Sequence, residues 1–206
     1  MDNVILTSSF ATVANELQAK GILPRAPQRV ALIPTASTYT VEHPWLEIDR
    51  KALLGLGYNV FDVELCGKTA EEIKNEIQPA QILFVAGGNT IYLADQVHRV
   101  GFAPLVREAL LNGKIYIGSS AGSILAGPTV EPFLEEDLAD LPKDFHTESL
   151  SGLGLVPYVI LPHHPQFEAY DRKAIQKFGE RFSFLQLTDQ EYRTETVRLN
   201  QGRQKF

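Results

Sequence analysis

The segment Gly118-Ser119-Ser120-Ala121-Gly122 places Ser120 between two glycines, each two positions away, just after the apolar run Ile115–Ile117. A stretch of small residues, Ala121–Ala126, follows. A strand, a G-x-S-x-G turn and a helix in that order are the context of a nucleophile elbow. Such a turn strains the backbone of its serine, and the glycines keep neighbouring side chains out of it. The hydroxyl then projects at the amino end of the next helix, where the amide of Ala121 can donate to an oxyanion. Ser119 and Ser123 are the rival hydroxyls, but neither has glycine at both flanking positions. On these grounds Ser120 is the candidate nucleophile.

A serine hydroxyl needs a base within hydrogen-bond reach, usually histidine. Of the five histidines, His98 falls in a helical pattern, and His43 and His146 sit in polar stretches. His163 follows the apolar run Val156–Leu161 and Pro162, which puts it at a strand end. His163 is the candidate base. On an extended backbone His164 points the other way, and it is assigned to the substrate cleft. Adjacent histidines chelate one ion poorly and no further ligand has suitable spacing, so neither metal nor cofactor is expected.

The loop Gly87-Gly88-Asn89-Thr90 follows a third apolar run, Ile82–Val85. Its glycines let backbone amides approach an anion, but the remaining glycines and the lysine of a nucleotide loop are missing. The amide of Gly88 is therefore assigned as a second oxyanion donor, and Asn89 to the substrate side. The competing reading of this loop is a plain tight turn. For the third triad member, Asp189 follows the short apolar run Phe184–Leu187, again at a strand end. Glu135, Glu136 and Asp137 are the alternatives, from the long segment Pro128–Gly154, which is rich in Pro, Asp, Glu and Gly.

These loops need a frame. Val4–Thr7, Val30–Pro34, Tyr58–Val63, Ile82–Val85, Ile115–Ile117 and Val156–Leu161 are predicted strands. Most are continuous apolar runs, which suits strands buried on both faces. Helical patterns cover Phe10–Ala19, Val41–Leu56, Ala70–Ile77, Ile91–Arg99, Ala103–Leu111 and Phe167–Phe182. Thr69 and Glu72 have capping-box spacing, and Gly21, Gly57 and Gly113 each follow a helical pattern. Such alternation predicts an α/β protein with a mostly parallel sheet between helix layers, with ligands beyond the carboxyl ends of the strands. On this reading the three chemically loaded loops share one edge of one sheet. No repeat, linker or low-complexity tract divides the 206 residues, so one domain is expected.

The net charge of −6, with no basic cluster, argues against nucleic-acid binding. A single cysteine, Cys66, excludes an internal disulfide. The amino terminus lacks the pattern of a signal peptide, and no apolar run approaches the roughly 20 residues of a membrane span. A soluble cytoplasmic protein is expected; its oligomeric state is not encoded in any of these features.

Taken together, VAGGNTIYL (Val85–Leu93), IYIGSSAGSILAGPT (Ile115–Thr129) and LPHH (Leu161–His164) resemble the aspartyl dipeptidase (peptidase E) and cyanophycinase family of serine peptidases. The resemblance implies a class I glutamine amidotransferase-like, flavodoxin-like three-layer α/β/α sandwich. It implies Ser120 as nucleophile, His163 as base, and the amides of Gly88 and Ala121 as the oxyanion hole. The family's acid lies after a late strand, where Leu187-Thr188-Asp189 matches, with Asp in place of the usual Glu. The following Gln190–Arg193 is more polar than the strand expected there. A cysteine-based amidotransferase is excluded, since Cys66 follows a different strand and the elbow holds serine. The resemblance implies small peptide substrates, Asp-X dipeptides among them, with Arg172 as a partner for the substrate carboxylate. A serine esterase or amidase, or a silent small-ligand-binding member, is the alternative.

Overall fold

The computed structural model describes residues 3–38 and 43–197. Its strands are β1 (Val4–Thr7), β2 (Arg29–Ile33), β3 (Asn59–Asp62), β4 (Ile82–Val85), β5 (Ile115–Ser119), β6 (Tyr158–Leu161), β7 (Ser183–Gln186) and β8 (Tyr192–Glu195). The α-helices are α1 (Phe10–Ala19), α2 (Thr35–Thr38), α3 (Pro44–Gly55), α4 (Ala70–Ile77), α5 (Thr90–Arg99), α6 (Phe102–Leu111), α7 (Ala121–Leu125), α8 (Leu134–Ala139) and α9 (Glu168–Phe178). The predicted helix from Val41 begins at Pro44, a residue suited to the first helical turn; 41 and 42 lie outside the described residues. The last predicted helix closes at Gly179, short of Phe182.

The main sheet has the order β3-β2-β4-β5-β1-β8, parallel throughout except for β8, which pairs antiparallel with β1. Side chains along a strand alternate between faces, and the core divides accordingly. Val4, Leu6, Leu83 and Val85 join the cluster under α4, α5, α6 and α7. Ile5, Ile82 and Phe84 join the cluster under α1 and α3. The result is a three-layer α/β/α sandwich. The continuous apolar runs Val4–Thr7 and Ile82–Val85 arise because both faces are covered, and every residue in these two strands is buried. The polar stretch near Tyr192 forms an edge strand, where half-exposed polar residues are tolerated.

One expectation is corrected. The strand after Val156 does not join the main sheet. β6 pairs in parallel with β7 in a separate two-stranded sheet, so the loop carrying His163 comes from a different sheet than the other two. Nor is Pro128–Gly154 wholly irregular: it holds a 3-10 turn at Glu131–Phe133 and then α8.

Local signals fare well. Thr69 accepts from the Glu72 amide, and Glu72 accepts from the Thr69 amide, so the capping box is present. At the elbow, α7 packs directly against β4 and β5. A Cβ on Gly118 would lie 2.6 Å from the Gly122 carbonyl carbon, and one on Gly122 would strike the carbonyl of Val85. The clash is with backbone, which moves only with the sheet. Gly122→Ala is expected to lower stability by about 3 kcal/mol, measurable as a shifted urea midpoint with an unchanged slope.

Among the described residues no helix is long and apolar enough to cross a membrane.

Candidate active site

Parallel pairing of β4, β5 and β1 ends the three strands together, with Val85 beside Gly118 and Ser119 beside Thr7. The loops after them therefore emerge on one edge. Ser120 leaves β5 with φ 50° and ψ −110°, a left-handed conformation rare for a residue bearing a side chain. Its amide donates to the Thr7 carbonyl (3.0 Å) and its carbonyl accepts the Ser123 amide (2.8 Å), which fix the turn from both sides. The rival serines are occupied. Ser123 is fully buried, donating to Thr7 and Gly118 carbonyls, while Ser119 is buried beside the Phe10 amide.

His163 reaches Ser120 although its strand belongs to the other sheet. The linker is Ser8, just after β1: its hydroxyl accepts from the His163 amide (3.1 Å) and donates to the Leu187 carbonyl (2.8 Å). Ser8 thus ties β1 to the ends of both β6 and β7. His163 itself has φ 61°, and its ring packs edge-on against Phe167. Its Nε2 lies 2.9 Å from Ser120 Oγ and its Nδ1 2.7 Å from Asp189 Oδ1. An ionised Asp189 accepts, so Nδ1 carries the proton and Nε2 accepts from the serine. Hydroxyl, imidazole and carboxylate stand in line.

The other candidate acids are elsewhere. Glu135 pairs with Lys177 (2.7 Å). Glu136 faces a cavity without touching His163. Asp137 accepts from the amides of Thr90 (2.5 Å) and Ile91 (3.3 Å) at the start of α5, and Asn89 Nδ2 donates to its carbonyl. Burial raises the Asp137 carboxyl above its ordinary value, while the two amides oppose that rise. The acidic helix thereby clips the Pro128–Gly154 segment to the Gly88 loop.

Gly88 has φ +136° and packs so closely on Ala36 that any side chain would strike its carbonyl. Among the described residues neither the Gly88 nor the Ala121 amide has an acceptor, so both remain available beside Ser120. Asn89 caps α5 by accepting the Tyr92 amide and also lines the cleft. His164 is bonded through Nδ1 to Asp171 (2.9 Å) and lines neither cavity beside Ser120. Arg172 is exposed, pairs with Glu168 and lines neither cavity beside Ser120. The structure therefore brings together Ser120, His163, Asp189, Gly88, Ala121 and Asn89, and leaves His164 and Arg172 outside.

Two cavities flank Ser120, of about 410 and 230 Å³. Residues not singled out in the sequence line them: Ser8, Trp45 and Asp49 the larger, Tyr170 and Asp171 the smaller. Ser8 alone carried a usable signal, since it too follows a strand end. Asp49 sits on α3, only 5% exposed, and accepts from the Ala11 amide (3.0 Å). Burial pushes its carboxyl up to about 6, against opposing bonds from Ser119 and Ala11. The native state thus keeps this proton to higher pH than the unfolded chain, where the group titrates near 3.8. Stability falls as pH rises through that window, and the full cost, about 3 kcal/mol, applies above it. Asp49→Asn is expected to gain stability relative to wild type between pH 4 and 8, read by urea unfolding at both; an equal difference at the two pH values would contradict this.

A hydroxyl–imidazole–carboxylate row beside two free amides, at the carboxyl edge of a parallel sheet, has the make-up of a serine-hydrolase site on an α/β sandwich. Residues 4–192 match the model of Peptidase family S51, and the chain belongs to that family. It is by class a peptidase of the serine type. It is 28% identical over 200 residues to an uncharacterized peptidase of Listeria monocytogenes, covering 93% of each chain. It is 31% identical over 147 residues to the peptidase E of a Nostoc species, covering 71% of this chain and 57% of that one. Among solved structures, a candidate peptidase E protein from Listeria monocytogenes superposes with a TM-score of 0.79 at 26% identity, over 96% of this chain and all (100%) of the other. A peptidase from an acI-B1 actinobacterium gives 0.64 at 19% identity over 94% and 82%, a likeness of fold alone.

Proposed function

We propose that this chain, as one domain, hydrolyses small peptides through an acyl-enzyme on Ser120. The observation that carries this reading is the imidazole of His163 bonded to Ser120 on one nitrogen and Asp189 on the other. As Ser120 Oγ attacks the peptide carbonyl, Nε2 takes its proton. Asp189 keeps the proton on Nδ1 and stabilises the imidazolium. The carbonyl oxygen becomes an oxyanion held by the amides of Gly88 and Ala121. Collapse breaks the C–N bond, and Nε2 protonates the departing amine. Water then gives a proton to Nε2 as it attacks the ester, and the returning proton restores Ser120 while the acid product leaves.

The strained backbone of Ser120 supports the same reading, because left-handed non-glycine residues persist where surrounding structure holds them for function. Asp-X dipeptides are the substrates suggested by the family resemblance. The exposed, paired Arg172 gives that specificity no support in the cleft. A fluorophosphonate probe is expected to label Ser120, mapped by mass spectrometry, and a dipeptide panel should show product release that the label abolishes. A silent ligand-binding protein would leave the panel intact, and an esterase or amidase would cleave only non-peptide esters and amides.

A further inference from the structure

We infer that Ser37 is a positioning residue that aims the Gly88 amide at the oxyanion, and that Trp45 acts through it; this rests on Ser120 being the nucleophile. Ser37 lies on α2 and is 0% exposed. Its hydroxyl donates to the Gly87 carbonyl (2.6 Å) and accepts from the Trp45 indole Nε1 (2.8 Å). The direction of both bonds is forced. An indole N–H only donates and a carbonyl only accepts, so Trp45 gives and Gly87 receives the hydroxyl proton.

The carbonyl of Gly87 and the amide of Gly88 belong to one peptide unit. That unit is planar and trans, so its N–H points opposite to its C=O. Whatever holds the carbonyl therefore aims the amide. A pair of glycines needs such a hold, because without side chains the peptide between them rotates at little steric cost. Here α2 grips the loop on both sides of the Gly88 amide. Ser37 takes the Gly87 carbonyl, and the Ala36 carbonyl accepts the Asn89 amide (2.8 Å). The Gly88 amide between these two bonds has no acceptor among the described residues. A Cβ on Gly87 would lie 3.2 Å from Ser120 Cβ, so the same peptide unit borders the nucleophile. Linked hydrogen bonds also polarise one another, and a donor on the carbonyl makes the amide of that unit a stronger donor. Trp45, Ser37 and the Gly87–Gly88 peptide form such a chain. It starts at the cleft wall, since Trp45 lines the larger cavity and is 40% exposed.

Removing an oxyanion donor outright costs about 10²–10³ in kcat, and a donor that loses its aim should cost part of that. On the dipeptides that wild type cleaves, Ser37→Ala is expected to lower kcat by about thirtyfold with KM within about twofold. Trp45→Phe keeps an aromatic ring without the N–H, and should lower kcat by about fivefold. Added to Ser37→Ala it should lower kcat no further, because the hydroxyl it acts through is gone. The peptide unit can also be watched directly. Gly87–Gly88 is the one glycine pair of the sequence, so protein with glycine isotope-labelled at carbonyl carbon and nitrogen gives a single carbonyl–amide correlation by NMR. Both nuclei should shift upfield in Ser37→Ala, and by a smaller step in Trp45→Phe. An unmoved correlation, an unchanged kcat in Ser37→Ala, or an equal Trp45→Phe loss with and without Ser37 would each overturn the inference. Should Ser37→Ala fail to fold, Trp45→Phe decides alone, and an unmoved correlation with unchanged kcat there would sink the idea. If wild type cleaves no dipeptide while the correlation shifts as expected, the hydrolase reading falls and the hydrogen-bond chain stands. If dipeptides are cleaved and the correlation does not move, the reverse holds.

Discussion

Ser120→Ala is expected to lower peptide turnover by about five to six orders of magnitude, leaving only what the oxyanion amides and binding supply. The size of the loss follows from the absence of a substitute. Ser123 spends its hydroxyl on the Thr7 and Gly118 carbonyls, and Ser119 is buried beside Phe10. Neither can rotate toward His163 without leaving a buried polar group unmatched, at about 1–3 kcal/mol. Fold stability should change by less than about 0.5 kcal/mol, because alanine adopts the same backbone and the turn is held by the Thr7 and Ser123 contacts. Single-turnover assays with thermal unfolding on the same sample check both. A loss below a hundredfold would move the nucleophile elsewhere.

Asp189→Asn is expected to reduce kcat by about four orders of magnitude with little change in KM. The asparagine amide can donate to Nδ1, which drives the imidazole proton to Nε2, where it faces the serine instead of accepting from it. The fold should tolerate the change, since Asp189 is the half-exposed member of its pair and β7 ends before it. Asp189→Glu should retain more activity than Asp189→Asn, because charge survives while reach alters. Glu135→Gln and Glu136→Gln are the controls. Neither carboxylate touches His163, so a loss comparable to that of Asp189→Asn in either would reassign the acid.

The strands and the elbow were legible because their signals are local. Phe10–Ala19 and Ala70–Ile77 show apolar spacing on one face, and both appear with the predicted ends. The glycines around Ser120 report a steric demand within five residues of chain, and the close approach of Gly122 to Val85 is its physical cause. The rule that chemistry gathers beyond strand ends located Gly88, Ser120 and His163, and applied once more it would have located Ser8. Arg172, expected at the substrate, lines neither cavity for a reason of the same kind. Its position on α9 carries no signal about which face turns to the cleft, and that face presents Asp171.

What the sequence determined by itself, then, is the strained serine turn, the alternation of buried strands and helices, and the chain order of Ser120, His163 and Asp189. Tertiary structure decided the rest. His163 lies 43 positions from Ser120 and 26 from Asp189, so their contacts depend on how β6 and β7 dock against β1 through Ser8. Periodicity records which face of an element is buried, but not its neighbour. It allowed β6 a place in the main sheet, but β6 pairs with β7 in a separate one. Side-chain charge in the cleft was set in the same way, since Asp49, Asp137 and Asp171 come from three helices that meet only when the chain is folded.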